Sequence, residues 1–126
     1  MISTNKLVNQ LGKYLYDNIE GAFKYKTTSN MCDVYFTLLY EIPQEDRRFY
    51  PEDADTLYDM TIDINITTYQ NNIRVNVLEM DAAEKTLLCD VYTPEQLHDS
   101  KAAKDKILSK IIRKVAKEYR EYNILF

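Results

Sequence analysis

Few residues in this chain could do chemistry, and their spacing fits none of the chemistry they could do. His98 is the only histidine. It has no evident serine or cysteine partner in the sequence with which to form a nucleophilic pair. A zinc site needs four ligands, and one histidine with the two distant cysteines Cys32 and Cys89 does not supply them. Asp53-Ala-Asp55 opens like a calcium loop, yet Leu57 stands at the next ligand position and Tyr58 where the loop requires glycine. Asp99-Ser-Lys101 matches the end of an acid-x-Lys nuclease motif but falls at a helix start rather than on a strand. Gly12 and Gly21 are isolated, so no glycine-rich loop can cradle a phosphate. These residues predict a non-enzymatic protein with no catalytic residues, no metal and no cofactor.

What remains is surface, and the periodicity of the chain says which surfaces exist. Residues 4–23 read as a helix, with Leu7, Val8, Leu11, Tyr14, Leu15, Ile19 and Ala22 on one side and Lys6, Gln10, Lys13, Asp17 and Glu20 on the other. Residues 31–42 switch to period two, which predicts a strand ended by Pro43. An acidic loop follows to about Thr56, where Phe49 and Tyr50 are expected to dock on the body. From Asp59 to Met80 isoleucine or valine alternates with Asp, Asn, Thr or Arg, the pattern of two half-buried strands. An Asn71-Asn72 turn would join them, since asparagine tolerates positive φ, and would set residue i opposite residue 143 − i.

A fourth strand is expected over about 85–92. It would place Leu87, Cys89 and Val91 toward the core if its loop has odd length or the strand carries a bulge. Thr93-Pro-Glu-Gln96 is a helix start with a capping hydroxyl, a proline and a glutamine in their proper places. The last helix would run to about Tyr122, with a second cap near Asp99-Ser100. The expected fold is α+β. It is a two-layer sandwich in which a four-stranded antiparallel meander carries the N- and C-terminal helices on one face, in the order α-β-β-β-β-α. Residues 1–126 are read as a single domain.

The other sheet face is left open. Its polar row would include Tyr35, Tyr69, Arg74 and Tyr92, and with a three-residue loop in the next hairpin a ladder of Tyr69, Arg74 and Asp90 would cross three strands. Leu39, Leu78, Met80 and Leu88 are expected on the same face, where a partly apolar patch marks protein contact. A second surface is the stripe Lys106, Lys110, Arg113, Lys114, Lys117 and Arg120 along the last helix. Like charges four residues apart repel by roughly 0.2–0.5 kcal/mol, so a one-sign stripe points to an anionic partner. Charge is segregated along the chain: residues 40–98 hold 13 acids against 4 bases, and residues 99–126 hold 8 bases against 4 acids.

Together these surfaces predict an interaction or assembly protein that binds a protein partner or self-associates into a homo-oligomer. The alternative is nucleic-acid binding through the basic stripe, against which the acidic pI of about 5.0 stands. Phe, Tyr, Met, Ile, Asn and Lys supply 50 residues and Gly, Ala, Arg and Pro only 17, as AT-rich genes encode. A small phage or mobile-element protein, virion-associated for instance, fits that bias. Two cysteines and no signal-peptide pattern predict the host cytoplasm or a virion, and no apolar run is long enough for a membrane span.

Overall fold

A computed structural model describes residues 3–41, 44–49, 56–80, 85–98, 100–119 and 123–124. The first helix, α1 (Thr4–Asn18), forms because Leu7, Val8, Leu11 and Leu15 recur at three- and four-residue spacing and are all buried. Ser3 caps it, its Oγ accepting from the Lys6 N–H at 3.2 Å. The helix stops at Asn18 rather than at residue 23. Ile19 takes an extended C-cap conformation yet stays in the core.

The residues beyond it, the first two of which fall within the expected helix, form a strand, β1 (Ala22–Thr27). Its Phe-Lys-Tyr-Lys-Thr alternation is strand-like. Ile19 and Ala22 also satisfy helical spacing, and that signal masked the change of period. Strands β2 (Met31–Glu41), β3 (Thr56–Tyr69), β4 (Asn72–Glu79) and β5 (Lys85–Tyr92) follow, with a 3₁₀ turn at Gln44–Phe49. Phe49 does not dock: it is 69% exposed, with the Arg48 guanidinium 4.7 Å from its ring. Tyr50 lies outside the described residues.

The sheet is an antiparallel meander in the order β1-β2-β3-β4-β5, and a two-residue β6 (Asn123–Ile124) pairs with β2 beyond the end of β1. The architecture is therefore the expected α+β two-layer one, with six strands among the described residues where four are expected. Cross-strand pairs Cys32–Ile66, Val34–Ile64 and Phe36–Ile62 floor the core, and Ile66–Val75 and Ile64–Val77 extend it. Helix α1 lies over β1 to β4. The capping box at Thr93–Gln96 closes a short α2 (Pro94–Leu97), and Ser100 caps α3 (Lys101–Glu118), which covers β5. His98 is the C-cap of α2, not a residue of the long helix.

Two register details differ from the sequence reading. The β3–β4 turn is Gln70-Asn71, with φ of 48° and 66°, so pairs sum to 141 rather than 143. A two-residue change keeps every side chain on its face, and it gives Ile73 a strand partner, Thr68, where the expected turn would have set it against Gln70. The second difference does invert faces. A bulge on β5 leaves Leu87 as the extra residue between the Val77–Leu88 and Leu78–Thr86 pairs. Beyond it Asp90 pairs with Val75 and Tyr92 with Ile73, on the helix side, while Cys89 and Val91 turn to the open side. Leu87 is buried as expected; Cys89 and Val91 are exposed rather than in the core.

Gly12 sits in mid-helix, where alanine would ordinarily add about 1 kcal/mol of stability. Here a Cβ would stand 2.2 Å from the Cys32 sulfur and 3.0 Å from its Cβ. Gly12→Ala should therefore destabilise, by about 1–3 kcal/mol in urea denaturation. The loss should shrink when Cys32→Ala is present, because the sulfur is the nearest obstacle.

Candidate functional site

Alternation puts one polar row of each strand on the face away from the helices, and the pairing joins these rows into rungs. One rung runs Lys24–Tyr35–Asp63–Leu78–Thr86. The next runs Lys26–Asp33–Asn65–Asn76–Cys89, and a third Met31–Thr67–Arg74–Val91. The centre of this open face is nearly dry: Asp33 is 7% exposed and Asp63 6%. The Asn65 side-chain amide donates to the Asp33 carboxylate at 2.8 Å, which gives this buried acid a partner on the next strand. Burial, reinforced by Asp63 and Asp33, raises the pKa of the Tyr35 hydroxyl.

The margins of the face are apolar. Phe23, at the β1 bulge, lies 6.4 Å from the Tyr35 ring, and the Lys24 ammonium sits 5.4 Å from the same ring. Tyr69 carries the Arg74 guanidinium over its ring at 5.0 Å. Met80 lies across from Thr61, to which its N–H donates, and Val91 stands opposite Arg74. The buried Arg74 Nε and Thr67 Oγ1, facing each other across β3 and β4, have no hydrogen-bond partner among the described residues.

Of the residues expected on this face, Tyr35, Tyr69, Arg74, Leu78 and Met80 are there. The backbone of Leu39 lies in β2, but its side chain is outside the described set. Leu88 and Tyr92 are not on the face: the β5 bulge turns both toward the helices, where they pack against the core. The Tyr69–Arg74–Asp90 ladder falls with them, and only the Tyr69–Arg74 contact survives. Phe23, Cys89 and Val91 were missed. Phe23 belongs to the unrecognised strand, and the other two were assigned the wrong side of β5.

The same inversion changes the basic stripe. Asp90 now lies under α3, where its carboxylate meets the Lys110 ammonium at 2.5 Å and accepts from the Tyr92 hydroxyl at 3.1 Å. Farther along, Lys85 pairs with Glu118, and Tyr119 donates to Glu79. Lys106, Lys110, Arg113 and Lys117 remain exposed along one flank of α3, and Lys114 is half-buried. Arg120 lies outside the described residues. The stripe is thus partly compensated by acids from β5 and from α3 itself. Among the described residues no cluster of three His, Cys, Asp or Glu side chains could hold a metal, and no helix is long and apolar enough to cross a membrane.

Burial first, and then the charge of Asp90, pushes the Tyr92 hydroxyl up to about 12; burial does the same to Tyr25. A raised phenol pKa means that the folded chain keeps a proton which the unfolded chain loses near 10. That contribution to stability is complete below pH 10 and is lost as pH rises toward 12. The melting temperature should fall across this window, and Tyr92→Phe should flatten the fall.

No protein-family model, curated protein or solved structure matches this chain.

Proposed function

We propose that this chain is a non-enzymatic interaction or assembly protein that binds a protein surface, a second copy of itself included, through its open sheet face. The observation that carries this reading is the placement of exposed apolar groups. Phe23, Phe49, Tyr69, Met80 and Val91 are the exposed large hydrophobic side chains of the described residues, and all but Phe49 lie on or around this one face. Scattered singly they would mean nothing; gathered on one face they make a contact patch. The dry polar centre adds direction to the contact. Asn65 is held by Asp33 and Arg74 by the Tyr69 ring, so a partner would meet fixed hydrogen-bonding groups rather than mobile ones. The AT-rich composition supports a phage or mobile-element setting, such as a virion component.

Nucleic-acid binding is the second reading. It rests on the exposed flank of Lys106, Arg113 and Lys117, and it is weakened by the ion pair that occupies Lys110.

Sedimentation equilibrium tests the first reading. The wild-type mass should rise with concentration, and Tyr69→Asp or Val91→Asp should weaken association at least about tenfold, the scale of a buried interface anchor. Both positions are exposed, so the melting temperature should hold. A wild type that stays monomeric at every concentration would sink self-assembly, and association unaffected by either substitution would remove the face from it.

A further inference from the structure

A cleft lies on the helix side of the sheet, where α2, the start of α3 and the end of β5 meet. These three elements enclose a cleft of about 480 Å³, within the span of about 300–1,000 Å³ common for small-molecule sites. Its floor is apolar: Leu97 and Ile107 reach it from the core, with Ala103 and the Tyr92 ring beside them. Two acceptor oxygens on its wall are already engaged within the fold. The Gln96 side-chain oxygen accepts from the Thr93 N–H at 2.8 Å, and the Ser100 hydroxyl oxygen accepts from the Ala103 N–H at 3.0 Å. An apolar tail lying on Leu97 and Ile107 would leave both of these bonds in place.

The charges select the other end of the ligand. Lys110 lines the cleft but is neutralised by Asp90, and the Tyr92 hydroxyl donates to the same carboxylate. Lys106 also lines it and has no ion-pair partner among the described residues. One uncompensated ammonium beside an apolar floor complements one negative charge on an apolar tail. A lysine binds as a point charge and offers no fork for a phosphate, and a single one suits a monoanion.

We propose that this cleft binds a small amphipathic monocarboxylate of the medium-chain fatty-acid class, with its tail on Leu97 and Ile107 and its carboxylate at Lys106. The proposal is independent of the open face and stands or falls without it.

Decanoate, held below its micelle concentration, is the probe, followed by amide shifts of the full chain. Saturable shifts should appear from Gln96 to Ile107. Lys106→Glu should weaken them at least about tenfold, the scale of a lost charge-assisted hydrogen bond. Ala102→Trp, at an exposed position on the cleft lining, should block them without lowering the melting temperature. Decanol, which lacks the charge, should bind the wild type more weakly than decanoate does. No saturable shift in the cleft, equal affinity in the Lys106→Glu variant, or shifts confined to Tyr69, Met80 and Val91 would each overturn the proposal.

Discussion

A β-strand buries one row of side chains only by committing the alternate row to the other face, and the isoleucine row of β3 imposes that bargain on the whole molecule. Ile62, Ile64 and Ile66 are fully buried against β2, β4 and α1. Each such side chain contributes about 1.5–3 kcal/mol, more than any single polar contact on the surface. Their burial sends Thr61, Asp63, Asn65, Thr67 and Tyr69 to the far side, and pairing carries the same division to the neighbouring strands. The open face is therefore a consequence of how the core is built, and its composition is what selection could adjust.

The β5 bulge is where this division is edited. One extra residue turns Asp90 and Tyr92 inward and Cys89 and Val91 outward. Inward, Asp90 anchors α3 through Lys110, and Tyr92 becomes a wall of the cleft beside Leu97. Outward, Val91 joins Tyr69 and Met80 as an apolar margin of the sheet. The two surfaces offered for binding are thus tied to one irregularity: the same residue count that shapes the cleft also completes the patch.

Features set by neighbours in sequence were legible beforehand. The α1 stripe, the alternation of β2 to β4, the Thr93–Gln96 capping box and the Ser100 restart are local patterns, and each is present. Of the candidate face, Tyr35, Tyr69, Arg74, Leu78 and Met80 could be read because their strands run without a break between turn and core. β1 was hidden because Ile19 and Ala22, three residues apart, continue the helical spacing of α1 past its end. The hairpin turn was misplaced by one residue because Gln70, a poor sequence signal for positive φ, takes the first left-handed position. Leu88, Asp90 and Tyr92 were misassigned for a deeper reason. A bulge is chosen by packing across strands, and nothing in Lys85–Tyr92 itself announces which residue will be the extra one.

Thiol reactivity measures the division of β5 between two faces directly, because one cysteine lies on each side of the sheet. Cys32 is buried, and burial pushes its thiol up to about 11, which keeps it un-ionised and slow at neutral pH. Cys89 is exposed on the open face. In dilute folded protein, maleimide labelling read by mass spectrometry should modify Cys89 rapidly and Cys32 only after denaturant is added. Equal protection of both thiols, or preferential labelling of Cys32, would contradict the bulged register and the surfaces built on it.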